Sequence, residues 1–287
     1  MDSITRKACG KINLTLDVVR KREDGYHDLR TVMQTVDVYD TLTFTKNDSG
    51  LVALETPVKG LPENEDNLVI RACELMRSEL GIKEGVTIDL IKEIPVAAGM
   101  GGGSADAACT LLAMNELFDA GLSRERLATL ALTIGADVPY LLHGGTCLAE
   151  GVGEILTPLP APPDCSILIA ALPASVSTAQ VYGELLLTPA TEHPDVDGFL
   201  RALRAGDLYQ MTSLMGNLLE PVTKRRVKAI GEIENTMLDY GATGAMMTGS
   251  GPTVFGIFDR ESDAVKAYHV LRDRGGCADL FVCRPVR

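Results

Sequence analysis

The chain has 287 residues, with 46% hydrophobic and 23% charged side chains, 28 glycines and a formal net charge of −12. That length favours two domains over one core, and the composition is that of a globular protein. The negative charge argues against a sequence-independent nucleic-acid binder or an anionic membrane surface as partner, since both reward basic patches. Seven cysteines form no Cys-x-x-Cys pair, so neither a zinc ribbon nor a closed disulfide framework is expected, and a reducing cytoplasm is the simplest setting. The start, Met1 to Lys7, lacks the apolar core of a signal peptide, and no apolar run approaches the roughly 20 residues that span a bilayer.

Taken in chain order, residues 4–18 and 29–45 alternate apolar with polar and predict half-buried strands, separated by a charged turn that ends at Gly25. Residues 67–80 carry Leu68, Ile70, Ala72, Leu75, Met76 and Leu80 at helical spacing, with Gly81 as the stop. Val86 to Leu90 reads as a strand. A glycine-rich stretch, 99–103, then runs into an apolar helix reaching about Leu117, with Ser104 as its candidate N-cap. A helix over 123–134 opens on Ser123 and closes at Gly135. Pro158, Pro160, Pro162 and Pro163 break regular structure and mark the expected linker, which gives domains of 1–158 and 159–287. Beyond it the pattern predicts a strand at 166–172, helices around 197–204, 207–219 and 222–240, a glycine-rich segment at 241–251, a strand at 253–258, a helix at 261–274 and a strand at 279–284.

The segment with the clearest chemistry is Pro95-Val96-Ala97-Ala98-Gly99-Met100-Gly101-Gly102-Gly103-Ser104-Ala105. Glycines let backbone N–H groups approach an anion, and the helix that follows adds its positive dipole end and free donors. Four glycines in five residues fused to a helix start exceed what a surface turn needs, so the segment reads as a phosphate cradle. It is neither a Walker A loop nor Gly-x-Gly-x-x-Gly. Ser104 suits a helix cap or a hydroxyl near Mg2+ and phosphate oxygens, and Asp106 suits either the helix dipole or a metal.

Residues 95–108 resemble the second motif of the GHMP kinases. Lys7-Ala8-Cys9-Gly10-Lys11-Ile12-Asn13-Leu14 is similar to their first motif, and Met247-Thr248-Gly249-Ser250-Gly251-Pro252-Thr253-Val254-Phe255 to their third. Within the superfamily, Asp24-Gly25-Tyr26-His27, Gly135-Ala136-Asp137-Val138-Pro139 and Ala149-Glu150-Gly151-Val152-Gly153-Glu154 resemble the branch that phosphorylates a cytidine diphosphate-linked polyol on the non-mevalonate route to isoprenoid precursors. The resemblance implies an α+β, two-domain GHMP kinase fold, with an N-terminal ribosomal-protein-S5-domain-2-like α/β domain and a C-terminal ferredoxin-like α+β domain. It implies ATP with Mg2+, small-molecule substrates, no nucleic acid and no membrane, and a monomer or homodimer.

Carried over residue by residue, the resemblance makes Asp137 the acceptor of the hydroxyl proton and places the Lys11 ammonium beside it. Kinase chemistry also needs charge compensation and in-line placement, so positioning and electrostatics are expected to outweigh proton abstraction. Asn13 corresponds to a contact near the reacting centre, although an isolated Asn could equally serve a turn or a ladder. Tyr26 would stack on the cytosine and His27 hydrogen-bond its edge. Thr178 and Tyr182 fit a substrate contact and a second stacking ring, and Asn67 is the candidate adenine contact. Ser104 and Asp106 are the candidate Mg2+ contacts. His143, His193 and His269 have no matched role. Two alternatives stay open: another GHMP kinase of the homoserine or mevalonate type, and a catalytically silent nucleotide-binding sensor.

Overall fold

The computed structural model describes residues 1–287. In chain order the elements are β1 (Ser3–Lys21), β2 (His27–Asn47), β3 (Val52–Glu55), α1 (Leu68–Leu80), β4 (Gly85–Ile91), α2 (Gly102–Leu117), α3 (Arg124–Ile134), α4 (Val138–His143), β5 (Thr146–Gly151), β6 (Ile155–Pro158), β7 (Ser166–Ala171), α5 (Thr178–Glu184), α6 (Val196–Ala205), α7 (Leu208–Ser213), β8 (Gly216–Asn217), α8 (Glu220–Lys224), α9 (Ala229–Asp239), β9 (Gly244–Met247), β10 (Val254–Phe258), α10 (Glu261–Arg274) and β11 (Asp279–Cys283). Two compact units share this chain. One comprises Met1–Gly10, Val38–Val96 and Gly101–His143; the other comprises Lys11–Asp37, Ala97–Met100 and Gly144–Arg287.

In the first unit the C-terminal half of β2 pairs antiparallel with β4, and β3 runs parallel to β4 on its other side. Facing hydroxyls, Ser3 with Thr45 at 3.1 Å and Thr5 with Thr43 at 2.9 Å, tie the start of β1 to β2. Helix α2 buries Ala105, Ala107, Ala108, Leu111, Ala113 and Met114, an apolar surface all round that suits a helix enclosed by its neighbours. Helix α1 begins because Asn67 Oδ1 accepts from the Val69 N–H at 2.9 Å. It ends because Gly81 takes the left-handed conformation that closes a helix. Ser123 caps α3 as its sequence suggested.

In the second unit β5 pairs antiparallel with the first half of β2 and β6 with β5, while β8 lies parallel to β1 at Thr15 and Leu16. A separate four-stranded antiparallel sheet has the order β11-β7-β10-β9. Numbered along the chain those strands are 4-1-3-2, which is the ferredoxin-like order that the family resemblance implied. Leu168, Ala170, Val254 and Phe258 from this sheet pack with Ile230, Ile233 and Met237 of α9, Ala264, Ala267 and Leu271 of α10, and Leu16 and Val18 of β1.

The sequence expectation fails in the region 207–240. Instead of two long helices there are three shorter ones, α7, α8 and α9, and the two-residue strand β8. Gly216 breaks the first, because it must pair with Thr15 and because a Cβ there would meet Pro194 at 3.1 Å. Pro221 then starts a new helix in the first-turn position that suits proline. Helix α5 was also missed; Ser177 caps it and Val181 is its buried anchor.

Leu168→Ala, in the centre of the four-stranded sheet, should lower stability by about 2–5 kcal/mol in chemical denaturation. Leu186→Ala, at a residue that is 81% exposed, should stay within about 0.5 kcal/mol. Equal losses would contradict the placement of the core.

Candidate active site

Lys11 lies on β1 and is only 5% exposed. Burying an ammonium is costly unless acceptors surround it, and two do: Asn13 Oδ1 at 2.7 Å and the Gly99 carbonyl at 3.1 Å. The Lys11 N–H also donates to the Met100 carbonyl at 2.9 Å, so strand β1 and residues 99–100 are fixed to each other by backbone and side chain. Asn13 has no spare polar atom. Its backbone N–H donates to Thr248 Oγ1 at 2.9 Å, and its Nδ2 donates to Thr31 Oγ1 at 2.9 Å. Thr31 in turn donates to the Thr15 carbonyl at 2.5 Å. With Nδ2 committed to Thr31, the amide oxygen must face the lysine. Asn13 is therefore a strand residue, within β1, whose amide oxygen is turned to the Lys11 ammonium.

Four glycines of the glycine-rich segments answer to different surroundings. Gly99 has φ +82, and a Cβ on it would lie 2.7 Å from the Thr248 carbonyl, so it is glycine because two loops meet backbone to backbone. Gly249 has φ +58, and its Cβ would sit 3.0 Å from the Gly99 carbonyl and 3.5 Å from Lys11 Nζ. Gly102 is crowded differently, by Ile94 at 3.0 Å and Lys92 Nζ at 3.1 Å. Gly103 alone has room: the nearest atom to a Cβ is Leu68 Cδ1 at 3.8 Å. It is the second residue of α2, where nothing in the packing excludes a methyl group, so its absent side chain answers to something other than packing. Ala97, two residues before Gly99, is held at φ 54, in the left-handed region that non-glycine residues seldom enter.

The helix starts earlier than the sequence suggested. Gly101 is the N-cap of α2, in the left-handed conformation, and Ser104 is the third residue of the helix; Ser104 is therefore not the cap. Behind this turn the first unit buries a charged triad. The Lys92 ammonium donates to Asp106 Oδ2 at 2.8 Å and also contacts Asp40 Oδ2. Asp40 Oδ1 accepts from the Glu93 and Ile94 N–H groups at 2.6 and 2.8 Å. Burial pushes the Asp106 carboxyl up to about 7; Lys92 pulls it down and Asp40 pushes it further up. For Lys92, burial works against the charge, but Asp106 and Asp40 outweigh it and hold its pKa above the ordinary lysine value.

Asp106 Oδ1 is buried without a hydrogen-bond partner. No group of three or more His, Cys, Asp or Glu side chains forms a metal cage. An orphaned carboxylate oxygen two residues beyond Ser104 on α2 fits a Mg2+ ion that takes most of its ligands from phosphates and water, and fits no all-protein site.

Elsewhere in the second unit the structure pairs His27 with Tyr182, ring centroids 5.0 Å apart and planes tilted by 34°. Burial lowers the pKa of His27, and Lys21 lowers it further. Tyr26 is 64% exposed, on the hairpin turn where its N–H donates to Asp24 Oδ1 at 3.0 Å. Thr178 shares a hydrogen bond with Ser250 at 2.9 Å. Asn67 spends both ends of its amide locally, capping α1 and donating to the Pro62 carbonyl at 2.7 Å. Asp137 is half-buried in the turn between α3 and α4, where its carbonyl accepts from the Leu141 N–H at 3.1 Å. Pro95 is half-buried, Val96 is exposed, and Ala98 and Ala105 are buried. His193 Nδ1 meets Asp17 Oδ1 at 2.6 Å. Lys92, Asp40, Thr31 and Asn217 escaped sequence reasoning, since each is an unremarkable polar residue until the fold brings its partners together. Thr248 was within reach, as part of the third glycine motif.

Two family models match the chain: the GHMP kinases N terminal domain over residues 67–145 and the GHMP kinases C terminal over residues 199–277. A protein of Lachnospira eligens named 4-diphosphocytidyl-2-C-methyl-D-erythritol kinase is 48% identical over 98% of both chains. This chain belongs to the GHMP kinases. A protein of Lachnoclostridium phytofermentans with the same name is also 48% identical to this GHMP kinase, over 94% of this chain and 92% of its own. A crystal structure of a 4-(cytidine 5'-diphospho)-2C-methyl-D-erythritol kinase superposes with a TM-score of 0.84 at 34% identity, covering 99% of this chain and 100% of that one. Two-domain GHMP kinase architecture is thus established by family, by relatives and by structure.

The glycines separate by experiment. Gly99→Ala should cost stability, because the loops must part, and should be seen as a lowered melting temperature. Gly103→Ala should melt at or above the parent temperature, yet raise the KM for ATP by tenfold or more. A Gly103→Ala enzyme with unchanged ATP kinetics would remove this glycine from the nucleotide site.

Proposed function

We propose that this GHMP kinase transfers the γ-phosphate of ATP, with Mg2+, to the 2-hydroxyl of 4-diphosphocytidyl-2-C-methyl-D-erythritol. The reaction belongs to the non-mevalonate route to isoprenoid precursors. The observation that carries the acceptor class is the His27–Tyr182 ring pair, which offers a π-face and a hydrogen-bonding edge, the two features a cytosine ring needs. Relatives of that name at 48% identity over nearly the whole chain support the specific acceptor.

In this reading Lys11 supplies positive charge to the transferring phosphoryl group and Asn13 orients it, while Asp137 accepts the hydroxyl proton. Residues 95–105 hold the ATP phosphates, with the N–H groups that begin α2 as donors. Asn67 shapes the nucleobase pocket by fixing the start of α1. Tyr26, exposed on its turn, closes over the cytosine beside His27 and Tyr182, and Thr178 contacts the substrate from the first turn of α5. Ser104 and Asp106 would hold Mg2+, which when bound offsets the charge gathered on the phosphate oxygens. Most of the rate enhancement is assigned to placement and charge compensation, because phosphoryl transfer asks little covalent work of a protein. The two domains are assigned as 1–158 and 159–287; the matched family segments fall one on each side of that boundary. No helix is long and apolar enough to cross a membrane, and we assign the enzyme to the cytoplasm.

The test is product formation followed by phosphorus resonance, with ATP, Mg2+ and, in turn, the cytidylyl acceptor, homoserine and mevalonate. Turnover with the cytidylyl acceptor alone is expected. Turnover with another acceptor would keep the kinase and discard the base pocket, and none with any would favour a silent sensor. Asp137→Asn should remove most turnover while ATP affinity stays within a few-fold. Because His27 titrates below its ordinary 6.5, the fold favours the neutral ring, and that preference is lost as pH falls and the ring takes up a proton. The KM for the acceptor should therefore rise below pH 6.5, with the KM for ATP unaffected.

A further inference from the structure

The loop between β9 and β10 touches both Asn13 and the space beside Lys11, so what fixes this loop also fixes them. Its inner side is the Thr248 hydroxyl, which accepts from the Asn13 N–H at 2.9 Å, and Gly249, packed against the Gly99 carbonyl. Its outer side is held by three side chains from one short stretch of sequence. Asn217 Nδ2 donates to two of the loop's carbonyls, Met247 and Gly249, each at 2.9 Å. Glu220 Oε2 accepts from the Met247 N–H at 2.8 Å. Thr223 Oγ1 donates to the Ser250 carbonyl at 3.0 Å. Asn217 is itself fixed: its Oδ1 accepts from the Leu219 N–H at 2.9 Å, and its backbone pairs with Leu16 of β1.

We propose that Asn217 is a positioning residue for phosphoryl transfer, with Thr223 as its partner, acting through the 247–251 loop on Asn13 and Lys11. The inference rests on the reading that Lys11 and Asn13 form the transfer centre. Its physical basis is the hydrogen-bond count along the loop. The loop's glycines bring no side chains to fix its peptide planes, and Gly249 and Gly251 both lie at positive φ, so its orientation within the buried corner falls to these hydrogen bonds. The two carbonyls bound by Asn217 flank Thr248, so one amide group sets the rotation of the peptide units on either side of the residue that binds Asn13. Without it those carbonyls are buried and unsatisfied, and the loop turns to find other donors. The Thr248 hydroxyl moves with it, Asn13 loses its backbone acceptor, and the lysine loses its alignment. Displacements of about 1 Å at a transfer centre cost on the order of a hundredfold in rate, whereas substrate affinity draws on contacts elsewhere.

Asn217→Asp keeps the size and the acceptor for Leu219 and removes both donors. Thr223→Val keeps the shape and removes the bond to Ser250. Each should lower kcat by tenfold or more, with the KM for ATP and for the cytidylyl acceptor within about threefold. Thr236→Val is the control for stability alone: Thr236 is buried on α9 and hydrogen-bonded to Glu232 and Arg274, so its loss should lower the melting temperature and leave kcat intact. The side-chain amide resonance of Asn13, recorded without substrates, should shift in the Asn217 and Thr223 variants and stay in place in Thr236→Val. Unchanged kcat in a folded Asn217→Asp enzyme, or a fall in kcat that Thr236→Val reproduces, would overturn the proposal. If Asn217→Asp does not fold, Thr223→Val decides by the same two measures. Failure of the wild-type enzyme to use the cytidylyl acceptor would instead count against the acceptor reading, and the Asn13 resonance still tests the positioning role independently.

Discussion

An ammonium group almost fully removed from water must be surrounded by oxygen, and that requirement on Lys11 organises the second unit. Among its acceptors are the Asn13 amide oxygen and the Gly99 carbonyl. Asn13 can offer oxygen only because Thr31 and Thr248 occupy its donors. Gly99 can offer its carbonyl only because it carries no side chain where the 247–251 loop passes. The strand, the glycine loop and the second loop are therefore one hydrogen-bonded assembly, in which each member removes a freedom from the next.

The first unit solves a similar problem with a different balance. Lys92 is buried between two carboxylates, Asp40 and Asp106. Desolvation of three charges offsets much of their attraction, so such a triad contributes less to net stability than to the uniqueness of one arrangement. What it fixes here is the first turn of α2 against the end of β4, because Asp40 also collects the Glu93 and Ile94 N–H groups. The residue after this clamp's reach, Gly103, is left with open space, and it is there that the packing stops explaining the sequence.

The His27–Tyr182 ring pair is built from softer contacts. His27 and Tyr182 come from a hairpin end and a seven-residue helix, elements with little burial of their own. Helix α5 is held by Val181 in the core and by the Thr178–Ser250 hydrogen bond, so the helix that carries the ring also touches the loop that orients Asn13. The ring pair and the Lys11 corner thus share one supporting loop.

Much of this was legible from residue order. Alternation located β1 and β2, the 3.6-residue period located α1 and α2, and glycine and serine marked their ends, because these signals depend on near neighbours alone. The three motifs placed Lys11, Asn13 and the glycine loop. Other features were hidden for a physical reason. Whether a glycine accommodates a ligand, a lysine or another loop depends on what lies across from it, which is why Gly99, Gly102 and Gly103 read alike in sequence and differ in the fold. The break of 207–219 into α7 and β8 needed Thr15 and Pro194, residues from distant parts of the chain. Sequence by itself determined the long, strongly patterned elements, the family and the chemical residue types; only the tertiary structure decided the broken elements of 207–240 and which polar groups satisfy one another, since burial and partnership arise between segments far apart along the chain.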